Sequence, residues 1–198
     1  GLVLSFFGKS SHASQPENGH NPACAISKLI IDIPELTARE DHRGIVMATV
    51  VCVRIGEEAF GTNAGFGQLM LTIRAEFESE LDALDAEICA RARAYARQDG
   101  ITNVEIQYRD SFPETRNTPD AVAAVRKARL ECGLPEARWD EPFRSSEDFG
   151  CYTKLTSGAL VYIGCGTRHA KLHTREYDFN DEIIEPAVDM MFRLAQDA

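Results

Sequence analysis

The stretch Leu2-Val-Leu-Ser-Phe-Phe7 near the start of the chain has the aliphatic and aromatic side chains that are typical of a β-strand. Outward from it, the first half of the chain predicts the element order β-α-β-β-α-β. Further strands are predicted at 45–55, 68–75 and 104–109, and helices at about 21–34 and 79–100. The last of these strands alternates apolar and polar residues, as a strand with one buried face does.

The ends of the two helices carry recognisable signals. Asn21 followed by Pro22 predicts the start of the first helix, and Pro34 predicts its end. A capping box formed by Ser79 and Asp82 predicts the start of the second. Two helices that cross over a four-stranded antiparallel sheet form the ferredoxin-like arrangement, so we predict an α+β domain of this type at 1–110.

A turn-rich stretch at 111–119 predicts a boundary, and a second region, 111–198, follows it. Its predicted elements are a helix at 120–132, a short helix capped by Ser145, a buried strand at 160–163 and a helix at 185–196. One strand is too little sheet to close a core. We therefore expect the second region to pack on a sheet that this chain does not contain.

Composition excludes several classes of protein. The 198 residues carry a net charge of -10, which disfavours binding to a nucleic acid backbone. No apolar run approaches the ~20 residues of a membrane helix. The six cysteines form no CxxC pair, which indicates a reducing compartment, and we predict a cytoplasmic protein. Gly1 leads directly into a strand, and we interpret it as a cut, so that residues of the protein are expected to precede it.

Three polar constellations stand out as candidate functional sites. The first is the loop 8–22, in which His12 lies just after the first strand between glycines and prolines. Loops of this kind hold a side chain in a fixed place at the surface. For a lone histidine, the pattern favours the alternative of a solvated loop residue.

The second constellation is the glycine-rich connection 56–67, followed by Arg74 inside an apolar strand. Four glycines in one connection indicate a close approach of the backbone to another group. Arg74 is suited to bind a carboxylate. The alternative is a wide hairpin loop with an arginine on the solvent face of a sheet.

The third constellation combines Ser145-Ser-Glu147-Asp148-Phe-Gly150, Leu172-His173-Thr174 and the segment 177–181. His173 follows a predicted strand that ends in glycines, a common place for a metal-binding loop, although one histidine makes no metal site. Glu147 and Asp148 favour a role at the N-terminus of a short helix, where negative charge is stabilising.

Together these motifs resemble a known family. The order GKSSHASxPExGxNP, GEEAFGTNAGFG with a later TIR, SEDF, LHT and YDFND is similar to that of the aminoacylase/carboxypeptidase family of two-metal amidohydrolases. The nearest branch cleaves N-acyl amino acids and related amides. The resemblance covers nearly the whole chain, and four motifs match in order and spacing.

The resemblance implies a metal-bearing catalytic domain interrupted by a ferredoxin-like lid that mediates homodimerisation. Residues 1–110 match the lid, and 111–198 match the C-terminal part of the catalytic domain, so the chain alone is expected to be inactive. Two divalent metal ions, usually zinc with manganese or cobalt as alternatives, would activate a water for attack on the amide of a small N-acyl amino acid or related amide.

The resemblance also assigns roles to individual residues. His173 matches a metal ligand, and His12 matches the lid histidine that donates to the oxyanion in the partner subunit's site. Arg74 matches an arginine that binds the substrate carboxylate. Many relatives have Asn-Pro before that strand, where this chain has Gly61 with Asn63 two residues on, so both become candidate substrate contacts. Glu147 is a candidate for supporting the metal ligands.

Two other classes of function compete with this interpretation. The first is a non-catalytic dimerisation or ligand-binding module derived from the same family. The second is RNA binding, because RNA-recognition domains share the ferredoxin-like topology. The acidic charge and the lack of strand aromatics with basic neighbours argue against the second.

Overall fold

The computed structural model describes residues 1–137 and 139–196. Its contacts divide the chain into two compact units. Unit 1 comprises 1–114 and 144–146, and unit 2 comprises 115–143 and 147–198. The assignment of 1–110 as a lid and of 111–198 as part of a catalytic domain stays a prediction.

Unit 1 is built on a four-stranded sheet. Its strands are β1 (Leu2–Phe7), β3 (Val46–Ile55), β5 (Phe66–Ala75) and β6 (Asn103–Tyr108), and a two-stranded ribbon is formed by β2 (Ser11–His12) and β4 (Thr62–Asn63). The sheet order is β3-β5-β1-β6, and every neighbouring pair is antiparallel. The predicted mixed α/β class is confirmed, and the ribbon is an addition that the sequence did not predict.

Two helices, α1 (Ala23–Thr37) and α2 (Glu78–Gln98), pack on one face of this sheet and on each other. The strands contribute every second residue to the core that lies between the sheet and the two helices, as a pleated sheet requires. The fully buried members are Leu2, Leu4, Phe6, Ala25, Ile26, Leu29, Leu69, Ile88, Ala92 and Ala96. The large aliphatic and aromatic members hold the sheet and helices together, because each buried apolar side chain of this size stabilises by about 1.5–3 kcal/mol.

Two predicted helix ends are wrong. Pro34 does not end α1, which continues to Thr37, because Leu36 still packs in the core and Pro34 lies only one turn from the end. Ser79 and Asp82 do not cap α2. Instead the backbone N–H of Glu78 donates to the Glu114 carboxylate at 2.8 Å, so the first turn is capped from a distant segment.

The described residues of unit 2 form three α-helices, α3 (Pro119–Glu131), α4 (Gly150–Thr153) and α5 (Ile184–Gln196). The predicted strand at 160–163 is wrong, since the structure assigns no strand there. The Asn117 side chain takes the place of a strand partner. Its Oδ1 accepts from the Leu160 N–H and its Nδ2 donates to the Leu160 carbonyl, both at 2.9 Å. Across the described residues, no helix is both long and apolar enough to cross a membrane.

Ile26 and Ile31 provide a matched pair for testing the core. Both lie on α1, but Ile26 is fully buried whereas Ile31 is 74% exposed. Ile26→Ala should lower the free energy of unfolding of unit 1 by about 2–5 kcal/mol, because it leaves a cavity. Ile31→Ala should change it by about 0.5 kcal/mol or less. Urea titration followed by the methyl NMR signals of the unit 1 core measures both, and equal losses would contradict the packing described.

His42 links the two helices. Its Nε2 lies 2.7 Å from the Leu36 carbonyl near the end of α1, and its Nδ1 lies 3.1 Å from the Glu80 carboxylate on α2. Both partners only accept hydrogen bonds, so the ring satisfies both as an imidazolium. The bond to the Leu36 carbonyl, and then the Glu80 carboxylate, raise the pKa of His42, while burial of the ring and, to a smaller extent, Arg39 oppose them.

This raised pKa predicts the sign of a pH dependence. The stabilisation should be fully present below the unfolded value of 6.5 and should be lost as pH rises through the higher folded value. His42→Gln should remove this slope, since an amide does not titrate, and Glu80→Gln should reduce it. Urea titrations of the three proteins at a series of pH values test the expectation. A wild-type stability that rises across the same pH window would show that the ring folds in its neutral form.

Candidate active-site residues

Two of the predicted motifs meet at one end of the unit 1 sheet. The antiparallel register pairs Phe7, the end of β1, with Phe66, the start of β5. The loop that follows β1 and the loop that precedes β5 therefore leave the sheet side by side. In the ribbon that they form, Ser11 pairs with Asn63 and His12 with Thr62. Motifs about 50 residues apart in sequence thus form a single surface.

Glycine makes this contact possible. The Gly8 N–H donates to the Gly65 carbonyl at 2.7 Å. A Cβ on Gly8 would lie 1.9 Å from the His20 carbonyl oxygen, and one on Gly65 would lie 2.3 Å from the Ser10 nitrogen. Only glycine fits at either position, so the close backbone approach expected from the glycine-rich connection is observed, and the group approached is the other loop.

Asn63 joins the two loops through its side-chain amide. Its Nδ2 donates to Ser11 Oγ at 3.0 Å and to the Pro16 carbonyl at 3.4 Å. Its Oδ1 accepts from Asn21 Nδ2 at 2.8 Å. The other amide atom of Asn21, Oδ1, accepts from the Ala23 N–H at 2.9 Å. Asn21 thus bonds to the first residue of α1, although the helix starts at Ala23 with Pro22 at the N-cap, one residue later than predicted. The amide of Asn63 therefore already has partners within the unit, and its predicted substrate contact stays a prediction.

His12 is exposed on this surface, and its ring is held from one side. Nδ1 lies 2.7 Å from Ser14 Oγ and accepts the Ser14 backbone N–H at 3.1 Å. The next residue, Ala13, donates its N–H to the Gly61 carbonyl at 3.0 Å. A Cβ placed on Gly61 would meet no described atom within 4 Å. His12 thus lies next to open space at Gly61. Because its Nδ1 is already bonded to Ser14, its Nε2 is the ring nitrogen that can form a hydrogen bond with an external group.

Arg74 lies on β5, opposite Met47 of β3. Its neighbours in sequence alternate faces, and because Leu69 and Leu71 are in the core, Arg74 lies on the sheet face away from the helices. Its Nη1 donates to the Arg144 carbonyl at 2.8 Å and to Ser146 Oγ at 2.9 Å. Arg74 therefore holds the segment 144–146 to unit 1. These bonds use one of its three nitrogens.

The structure does not bring Arg74 and His12 together within unit 1. Arg74 is eight residues along β5 from Phe66, next to which the His12 loop begins. At about 3.3 Å per residue the strand separates them by roughly 26 Å. A single small amide cannot contact both side chains of one copy of the chain.

His173 lies in an exposed turn of unit 2. The Thr174 N–H and hydroxyl both donate to the Lys171 carbonyl, at 3.2 and 2.7 Å, and close a turn that contains His173. His173 has φ 64°, in the left-handed region that non-glycine residues rarely adopt. Strained backbone of this kind clusters at functional sites. The turn therefore presents the imidazole at the surface at a cost in backbone energy.

Glu147 has two local partners in unit 2. Its Oε1 accepts from the Thr115 hydroxyl at 3.0 Å, and its Oε2 accepts from the Phe149 N–H at 3.0 Å, just before α4 begins. Glu147 therefore serves the start of this short helix, as expected, through the N–H of Phe149, and the prediction of Ser145 as the cap is wrong. The Glu147 carboxylate bonds to an N–H two residues after it in sequence, whereas Ser145 lies four residues before Phe149.

The described residues do not fit a metal centre by themselves. Among residues 1–137 and 139–196, no group of three or more His, Cys, Asp or Glu side chains could hold a metal ion. His173 can supply at most one ligand. Two metals cannot be held with the donors present in this part of the chain, and a two-metal site requires further ligands. All six cysteines are free thiols.

The sequence did not single out three residues that shape this surface. Ser14 contacts the His12 ring, Ser11 accepts from Asn63, and Phe60 stands 98% exposed beside Gly61 at the tip of the loop. A serine two residues after a histidine is compatible with a local side-chain contact, so Ser14 carried a weak signal. Nothing local indicated the partner of Ser11, 52 residues away.

Curated relatives match nearly the whole chain. It is 23% identical over 195 residues to a hippurate hydrolase of Campylobacter jejuni, covering 97% of this chain and 50% of the relative. It is 26% identical over 198 residues to an N-acetyldiaminopimelate deacetylase of Bacillus licheniformis, covering 96% and 50%. The chain therefore spans about half the length of these relatives. No family model matches the chain.

Solved structures show the same fold. An aminohydrolase structure from methicillin-resistant Staphylococcus aureus superposes with a TM-score of 0.78 and 19% identity, over 99% of this chain and 51% of that one. Aminopeptidase PepT of Bacillus cereus gives a TM-score of 0.72 and 16% identity, over 98% and 50%. The relatives match the amidohydrolases in sequence, the solved structures share the fold, and the resemblance predicted from the motifs is confirmed.

The hydrogen bonds of Asn63 predict the effect of changing it. Asn63→Asp removes both donors and places a carboxylate near the Pro16 carbonyl oxygen. The His12 ribbon should loosen by about 1–2 kcal/mol, so the Ala13 amide should exchange with solvent roughly 5–30-fold faster. Hydrogen exchange measured by NMR tests this. Asn18→Asp is the control in the same loop and should leave the exchange unchanged, because among the described residues the Asn18 side chain makes a single long contact, 3.5 Å to Gln15.

Proposed function

We propose that the whole protein is a metal-dependent amidohydrolase that cleaves the amide bond of N-acyl amino acids or related small amides and peptides. One observation carries the proposal. The His12 motif and the glycine-rich motif, which underlie the family resemblance, form one surface with an exposed imidazole. The names of the relatives, a hippurate hydrolase and a deacetylase, describe this type of reaction and support the proposal.

His12 supplies a hydrogen bond in this proposal. Amide hydrolysis places negative charge on the carbonyl oxygen, and a donor aimed at that oxygen acts most strongly in the transition state. Nδ1 of His12 is occupied by Ser14, which leaves Nε2 for the oxyanion. Arg74 would bind a substrate carboxylate through the edge of its guanidinium that does not face Ser146.

Unit 1 would serve as a ferredoxin-like lid through which two copies of the protein pair. The strand order and the two helices on one face support this assignment. The separation of His12 from Arg74 along β5 supports the dimer, because the two side chains can meet at one substrate only if they come from different copies. Gly61, with open space beside it, would line the same end of the substrate as His12.

Unit 2 would form part of the catalytic domain, with His173 as one ligand of two divalent metals, zinc or else manganese or cobalt. Glu147 would support the ligand-bearing segments from its fixed position near α4. The exposed apolar face of α5 supports the proposal that this helix packs against a further layer of the catalytic domain. Its residues Val188, Met191 and Phe192 are each about 60% exposed in this chain. The metals supply activation of water, and the remaining ligands would come from residues outside this chain.

A non-catalytic module is the competing proposal, favoured if a chain of this size is the mature product. Mass measurement of the natural protein separates the two, because a mass near 21.9 kDa supports the module and about twice that supports the enzyme. The six free cysteines support the proposal of a cytoplasmic protein. The activity itself is tested by release of amino acid from N-acetyl and N-benzoyl amino acids with zinc, manganese or cobalt added.

Substitution of His12 should have a large kinetic effect. In the whole protein, His12→Ala should reduce turnover by about 10²–10³, which is typical of a lost oxyanion donor. Substrate binding should change far less, because the interaction develops in the transition state. Steady-state kinetics measure both. Turnover within twofold of wild type would remove His12 from the mechanism.

Dimers that mix two variants test whether His12 and Arg74 reach one site from different copies. The His12→Ala and Arg74→Ala homodimers should each be impaired. After subunit exchange, half of the dimers contain one copy of each variant. Each mixed dimer has one site with both residues, so activity should return to about one quarter of wild type. No recovery after verified exchange would place both residues in the same copy's site. Arg54→Ala, on the same sheet face opposite Gln68, is the matched control and should keep full activity.

A further inference from the structure

Ser14 makes two contacts with one ring nitrogen of His12. Its backbone N–H donates to Nδ1 at 3.1 Å, and its hydroxyl oxygen lies 2.7 Å from the same atom. A backbone N–H can only donate, so Nδ1 accepts through its lone pair. The proton of the neutral ring is then on Nε2.

The turn around Ser14 is fixed by further backbone bonds. The Gln15 N–H donates to the His12 carbonyl at 2.8 Å and closes a turn in which Ser14 is the third residue. The Ala13 N–H, between them, donates to Gly61 across the ribbon. These main-chain bonds hold the Ser14 N–H next to His12 Nδ1. The tautomer of His12 is therefore set by the backbone of the loop and not by the flexible Ser14 side chain.

We propose that Ser14 is a positioning residue that holds His12 in the Nε2–H tautomer and so presents Nε2–H as a hydrogen-bond donor. The identity of the acceptor, the oxyanion of a scissile amide, rests on the proposed function. Ser14 acts through His12 and contacts no reacting atom. The Ser14 hydroxyl has a second role. If the His12 ring becomes an imidazolium, the hydroxyl can rotate so that its oxygen accepts a hydrogen bond from Nδ1–H, whereas the Ser14 backbone N–H can only donate.

The first experiment reads the tautomer in this chain and requires no activity. In ¹⁵N-histidine-labelled protein near pH 8, long-range ¹H–¹⁵N spectra should show His12 Nδ1 as unprotonated and Nε2 as protonated. The Ser14 amide proton signal should reflect its bond to His12 Nδ1, and His12→Ala should move that signal. A proton on Nδ1, or a Ser14 amide signal that His12→Ala leaves unchanged, overturns the inference.

The second experiment measures how much the Ser14 hydroxyl contributes to turnover in the whole protein. Ser14→Ala should lower kcat about 3–10-fold with little change in KM, since one hydrogen bond to the ring is lost while the backbone N–H remains. Ser14→Thr should restore the rate. Ser10→Ala, in the same loop but not bonded to His12 among the described residues, should behave as wild type. A normal kcat for Ser14→Ala would overturn the role of the hydroxyl.

The two experiments separate failure of this inference from failure of the proposed function. If the His12 spectra show the Nε2–H tautomer but the whole protein hydrolyses no acyl amino acid, the pairing stands and the proposed hydrolase fails. If the whole protein is active and His12→Ala impairs it, but the Ser14 amide does not respond to His12, the hydrolase stands and the positioning role fails.

Discussion

The antiparallel pairing of β1 with β5 is the constraint on which the rest of unit 1 depends. β1 lies between β5 and β6 in the sheet, and its residues Leu2, Leu4 and Phe6 are fully buried against the two helices. The same register sets Phe7 against Phe66. A shift by one residue would turn the core side chains to the opposite face and would also separate the two loops. Stability and the geometry of the candidate site thus have a common origin.

From this register follows a surface that is held mainly by polar bonds. Asn63 connects Ser11, Pro16 and Asn21, and Gly8 and Gly65 allow the main chains to touch. Both amide atoms of Asn21 and of Asn63 have partners in this network, which restrains the two loops relative to each other. It supports an exposed histidine whose orientation comes from its own backbone turn. The loop combines a fixed frame with an accessible ring, as a side chain that acts on a ligand requires.

Local patterns were good predictors of the elements of unit 1. The strands and helices follow the apolar spacing, and α1 begins within two residues of Asn21, which bonds to its first residue. Failures occurred where the partner was distant. The first N–H of α2 bonds to Glu114, and the apolar run at 160–163 pairs with no strand among the described residues, its Leu160 backbone bonding to the Asn117 side chain. A bulge near Val51 in β3 likewise depends on pairing with β5. Propensity is a weak prior that tertiary contacts override.

The order of the elements in unit 1 and the residue types of the candidate site follow from the sequence, since periodicity and motif spacing are local properties of the chain. The sequence also carried the resemblance to amidohydrolases. Which motifs share a surface depends on the tertiary structure. It bonds Ala13, the residue after His12, to Gly61, gives the amide of Asn63 partners within unit 1, and places a length of β5 between His12 and Arg74. These outcomes depend on strand register and on hydrogen bonds between residues 40 to 70 positions apart, which no local pattern encodes.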